Sequence, residues 1–158
     1  MTTYTLMLAM LLSSMFAVAP QQKTDNKVEE DIREAVLRYM FEHSAPQQMP
    51  HTKVLFVSID KKEPSKELLS RFANNSPPVK SESNSDRTKD MGLVVDKKSG
   101  ESGILFSVGA IKRVNNSEAI VAGSYYVAWL FAGGCEYRVV FTEGKWVVKG
   151  CSGKCWMS

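Results

Sequence analysis

Between residues 103 and 150 the chain alternates long apolar runs with short turn segments, and that alternation limits the fold more than any other feature. The runs cover 104–114, 118–131, 135–141 and 145–149, and they are rich in Val, Ile, Tyr, Phe and Trp. Such side chains suit a pleated surface. The joints are Asn115-Asn116-Ser117, Ala132-Gly133-Gly134 and Thr142-Glu143-Gly144. Asn and Gly tolerate the positive φ that tight hairpins need. The pattern predicts an antiparallel meander. A meander has at least one face to bury, so the upstream residues must supply a cover.

Val28, Ile32, Ala35, Val36, Tyr39 and Met40 recur at helical spacing and form one apolar stripe, broadened by Leu37 and Phe41. Asn26 with Glu29 fits a capping box. Glu29, Glu30 and Asp31 lie where the helix dipole favours negative charge, and Arg38 and His43 where it favours positive charge. Pro46 lies beyond the expected end, in a loop over 44–51. Residues 53–59 read as a strand whose near-continuous apolar character suggests burial on both faces, or an edge covered by another element. Pro64 opens a short helix over 64–73 with Leu68, Leu69 and Phe72 on its apolar side. Residues 92–95 form a short strand, turned back by Asp96-Lys97-Lys98-Ser99-Gly100. Between them, 74–90 holds one Val in seventeen residues. So little apolar surface predicts a mobile polar loop.

The 158 residues suggest one domain, and 44% hydrophobic with 23% charged residues is ordinary for a globular chain. A net charge of +3, without a basic stripe, argues against nucleic acid as a partner. Residues 6–18 are apolar except Ser13 and Ser14, and Ala17-Val18-Ala19 before Pro20 matches a signal-peptidase site. Residues 1–5 carry no Lys or Arg, which departs from the usual pattern. No Cys sits at the cleavage site, so a lipoprotein anchor is not expected. The reading is a signal peptide over 1–19, followed by a single α+β domain over 20–158. The mature protein is then exported, periplasmic or extracellular, with no stable membrane span after cleavage.

An exported chain permits a disulfide. Cys135 opens one strand of the last hairpin and Cys151 follows the other. A three-residue loop, Thr142-Glu143-Gly144, places Cys135 opposite Cys151. A two-residue loop, Glu143-Gly144, places Phe141 opposite Trp146 and turns these cysteines to opposite faces. Apolar matching favours the second register, turn chemistry the first, because Glu is poor at positive φ. A Cys151–Cys155 bond is the third option. The expected bond is Cys135–Cys151.

Several segments carry a resemblance. Val94-Val95-Asp96-Lys97 with Ser99-Gly100, Gly103-Ile104-Leu105-Phe106, Gly123-Ser124-Tyr125-Tyr126, Tyr137-Arg138-Val139-Val140 and Gly144-Lys145-Trp146-Val147-Val148 with Trp156 are similar to a family of uncharacterised exported bacterial proteins. Ile32-Arg33-Glu34-Ala35-Val36 with Tyr39-Met40-Phe41-Glu42-His43 is similar too. The order helix, strand, helix, meander and the Gly-Lys-Trp-Val-Val hairpin resemble the cystatin-like, nuclear-transport-factor-two-like α+β roll. That resemblance implies an N-terminal helix packed on a curled antiparallel sheet. It also implies that any enzyme activity would use an acid–base pair inside the cone.

His43 and His51 are the only histidines, outside any His-Glu-x-x-His pattern, so no metal site is expected. Gly100-Glu101-Ser102-Gly103 reads as a turn rather than a nucleophile elbow. No Gly-rich phosphate loop occurs, and no cofactor is expected. Tyr39, Tyr125, Tyr126 and Trp129 are the candidate ligand-binding residues, as aromatic lining between helix and sheet. No catalytic residue is assigned; Tyr39 or His43 with Asp60 are the nameable acid–base groups. The expected function is a non-catalytic module binding a small apolar ligand or another protein. The alternative is a small isomerase- or dehydratase-like enzyme of the roll superfamily.

Overall fold

The computed structural model describes residues 20–44 and 51–158. The signal peptide expected over 1–19 and most of the loop expected over 44–51 lie outside them. Helix α1 spans Pro20–His43, and β1 spans Val54–Ile59. A five-residue helix α2, Lys66–Ser70, is capped by the Ser65 hydroxyl, which accepts from the Leu68 N–H. Strands β2 (Val79–Ser81), β3 (Ser85–Arg87) and β4 (Val94–Asp96) are short. The long strands are β5 (Gly103–Asn115), β6 (Glu118–Ala128), β7 (Phe131–Thr142) and β8 (Lys145–Met157). Six of the strands form one open sheet in the order β2-β1-β5-β6-β7-β8, and β3 pairs with β4 separately. The protein is thus an α+β domain with one long helix packed on a sheet body.

The apolar stripe of α1 is the cover that the meander needs. Ile32, Val36, Leu37 and Met40 are fully buried against Leu55, Val57, Ile104, Phe106, Val121 and Val139. The helix begins at Pro20 rather than behind a cap at Asn26. No Gly or Pro interrupts 21–26, and proline is suited to a first helical position. Strand β1 is buried at every residue, as its composition predicts. Its inner side chains face α1, while Val54 and Phe56 pack on the opposite face with Val94, Leu105 and Tyr126.

The sheet is mixed rather than purely antiparallel. Strand β1 pairs in parallel with both β2 and β5. The connection from β1 to β5 carries α2, β2 and the β3–β4 hairpin, long enough for the crossover that parallel pairing requires. The segment expected as a mobile loop, 74–90, is therefore built into the fold. Val79 to Ser81 add an edge strand to β1, and Ser85 to Arg87 pair with Val94 to Asp96. Backbone pairing and one buried ion pair stabilise it in place of apolar side chains. Asp96 is buried, and it accepts from the Lys80 ammonium and from the N–H groups of Lys98 and Ser99. These donors, Lys80 first, hold its carboxyl below the ordinary carboxylate range against the opposing effect of burial.

The second joint of the meander falls at Trp129 and Leu130, not at Ala132-Gly133-Gly134. Both glycines are interior strand residues. A β-carbon on Gly133 would stand 2.8 Å from the Tyr125 hydroxyl, and one on Gly134 would stand 2.7 Å from the Gly123 carbonyl oxygen. Close approach, not a turn, requires glycine at these positions.

The last hairpin corrects the expected disulfide. Glu143 and Gly144 form a two-residue loop with φ of 52° and 77°, and Phe141 lies opposite Trp146. Apolar matching outweighs the poor turn chemistry of Glu. Strand β8 then runs on to Met157 through two register shifts, which bring Cys155 opposite Cys135 and Cys151 opposite Tyr137. The bond is Cys135–Cys155, and Cys151 is free. The Cys135–Cys151 pairing assumed one unbroken ladder, and the extra β8 residues break it.

Candidate functional site at one end of the sheet

The four aromatic candidates do not line a common cavity. Tyr125 and Tyr126 are consecutive strand residues and therefore point to opposite faces. Tyr125 is buried on the inner face, its ring 5.9 Å from Phe131. Tyr39 stacks on His43 at 4.3 Å and meets Tyr137 edge-on at 5.6 Å. Burial pushes the Tyr137 phenol up, with the Ser44 hydroxyl acting in the opposite sense. Tyr126 lies on the outer face beneath the β3–β4 hairpin. Its hydroxyl donates to the Gly92 carbonyl at 3.2 Å, and the Arg87 guanidinium lies 4.4 Å above its ring. Trp129, 60% exposed, sits beside Gly92 at the β6–β7 turn. Tyr125 and Tyr137 belong to the core beneath α1, and Tyr39 packs against it.

The acid–base groups are engaged separately. Asp60 accepts from Arg33 at 3.4 Å, whereas Tyr39 and His43 stack on each other further along α1. The other perturbed groups lie in bridges that hold elements together. Glu118 is held below the usual range by Arg138 on the neighbouring strand. Arg71 joins α2 to α1 through Asp31 at 2.6 Å and Glu34 at 3.0 Å. Burial disfavours its charge, and these carboxylates outweigh that and raise its pKa.

The outer face of β5–β8 is open beyond Tyr126. Ser107, Gly109, Ala122 and Ser124 alternate along β5 and β6 and give it a floor of small side chains. Trp156 stands at its margin over Gly134 and Ser124, and Asp60 with Lys61 turns tightly at the other side. The resulting groove has a volume of about 580 Å³. The sequence hid it, because small residues carry no signal until register places them side by side.

The same end of the sheet exposes large apolar side chains. Trp129 and Leu130 form the β6–β7 turn, and the Trp129 N–H donates to the Met91 carbonyl. Met157 lies opposite Gly133, and Trp156 opposite Gly134, a few residues along β7 from that turn. Trp156 therefore points to the outer face and Met157 to the inner one, and the cluster wraps this end of the sheet. Leu130 is 86% exposed, Met157 83%, Met91 54% and Trp156 53%. Of the sequence candidates, Trp129 alone belongs to this cluster. Leu130, Met91, Trp156 and Met157 were missed; an apolar turn and an apolar C-terminus were the available signals.

No family model, curated protein or solved structure matches the chain. Among the described residues no helix is long and apolar enough to cross a membrane.

Proposed function

We propose that the protein is an exported, non-catalytic interaction module that receives an apolar segment of another protein at the Trp129–Trp156 end of its sheet. The observation that carries this reading is the concentration of exposed Met91, Trp129, Leu130, Trp156 and Met157 around that end of the sheet, on its rim and both faces. Exposed apolar surface gathered in one place marks a binding surface far more often than isolated apolar residues do. Tryptophan and methionine are side chains enriched in the centres of protein interfaces. Export is supported by the Cys135–Cys155 bond and by the small-x-small pattern before Pro20. One helix lying across an open sheet supports reading the fold as a cystatin-like roll. The quoted motifs support kinship with the exported bacterial family. The groove beside Trp156 favours a second reading, a flat apolar ligand stacked on that indole.

Hydroxyl-radical footprinting of the protein in its own compartment, compared with purified protein, tests the proposal. Trp129, Leu130 and Met157 should be protected several-fold. Val114 and Phe141, exposed at 55% and 45%, should be unchanged. Equal reactivity of both groups in both settings would refute it.

A further inference from the structure

Three sulfurs meet between β7 and β8. Cys135 and Cys155 are bonded, Cys151 is a free and exposed thiol, and the three Sγ atoms lie within 4.8 Å of one another. Cys135 and Tyr137 share a face of β7, and their partners Cys155 and Cys151 share the facing side of β8. From Val139 to Cys135 the chain advances four residues, while its partner advances seven, from Val148 to Cys155. The surplus on β8 is seven minus four, three residues, and Gly150 and Gly153 with φ of 125° and 112° lie within it. The backbone carrying Cys151 is thus not bound to one continuous ladder.

We propose that this cluster is a thiol–disulfide exchange site in which Cys151 displaces Cys155 from Cys135. Cys151 loses its proton to water, and its thiolate attacks Cys135 Sγ. The Cys135–Cys151 bond forms as the Cys135–Cys155 bond breaks. Cys155 leaves as the thiolate and takes up a proton from water. One disulfide and one thiol are present before and after, so no oxidant or reductant is consumed. Cys135 is the target because Cys155 is exposed and Cys135 is half-buried. Departure of Cys155 places the negative charge in water, whereas attack on Cys155 would leave it on the less solvated sulfur. Exchange releases the covalent anchor of Trp156 and Met157, leaving the strand pairing and the Ser158 to Ala132 hydrogen bonds to hold them. The chemistry stands independently of the proposed binding surface.

Trypsin cuts after Arg138, Lys149 and Lys154, so each cysteine falls in its own peptide. The full, oxidised protein is held without reductant at about pH 6 or about pH 8.5, then trapped with N-ethylmaleimide and mapped. Label should start on Cys151 and spread to Cys155 within minutes to hours, as a peptide pair linking Cys135 to Cys151 grows. The rate should rise about tenfold per pH unit below the thiol pKa and be independent of protein concentration. Label confined to Cys151 at both pH values would overturn the proposal. A rate proportional to protein concentration would also overturn it, by showing exchange between molecules. In a Cys155→Ser variant the Cys135–Cys151 bond should form; two free thiols there would overturn it as well.

Discussion

Replacing Gly134 by alanine separates a strand glycine from a turn glycine by the sign of its effect. In the structure the added β-carbon meets the Gly123 carbonyl oxygen at 2.7 Å, Ser124 Cβ at 2.9 Å and Trp156 Nε1 at 2.9 Å. The indole can swing away, but the carbonyl is main chain in the neighbouring strand and yields only if β6 and β7 separate. Overpacking of this kind costs roughly 1–3 kcal/mol. Against it stands the lower entropy of the unfolded chain, a gain of roughly 0.4–1 kcal/mol. Because the clash is with main chain, the upper half of the overpacking range applies, roughly 2–3 kcal/mol. The net expectation for Gly134→Ala is a loss of about 1–2.5 kcal/mol, with a fall in Tm of roughly 2–10 °C for a chain of this size. Thermal unfolding followed by circular dichroism without reductant measures the change, and tryptophan fluorescence reports displacement of Trp156. An unchanged or raised Tm would refute the packing argument and with it the assignment of the turn to Trp129 and Leu130.

Ile32→Ala should cost about 2–4 kcal/mol in chemical denaturation, because its fully buried side chain would leave a cavity beneath α1; a loss under about 0.5 kcal/mol would place that face in solvent. The depressed pKa of Asp96 contributes stability that is present above its unfolded value of 3.8 and is lost as pH falls through the folded value. Asp96→Asn should therefore flatten the acid limb of the stability curve, and an unchanged slope below about pH 4 would contradict the pairing with Lys80. Excising 79–87 should lower Tm markedly, since it strips β2 from the edge of β1, removes the β3 partner of β4 and leaves the buried Asp96 without Lys80. A cooperative melt at the original Tm would show that segment to be dispensable.

What the sequence showed depended on how far each signal was from its cause. The α1 stripe and the double-sided burial of β1 are periodicities written by the core itself, and both appear in the structure. The stretch 74–90 was misread because polar composition was taken as lack of structure. Lys80, Asp96 and the backbone of β2 and β3 supply the stabilising contacts there, and composition does not display hydrogen bonds. Gly133 and Gly134 were misread because glycine serves both turns and close contacts, and only the positions of Tyr125, Gly123 and Trp156 distinguish the two. The cysteine pairing failed first on the two-residue turn, which by itself moves Cys151 out of register with Cys135, and then on three surplus residues in β8, which bring Cys155 there instead. Trp129 was named for a cavity beneath the helix, and it lies instead on the exposed end of the sheet.

Site-specific photocrosslinking in the producing cell tests most directly whether that exposed end is a working surface. A benzophenone side chain replaces Leu130 in one variant and Asn116, exposed at the opposite end of β6, in another. The account predicts a discrete heavier adduct from position 130, lost when Trp129 and Met157 are both changed to serine, and none from position 116. Equal adducts from both positions, or none from position 130, would contradict it.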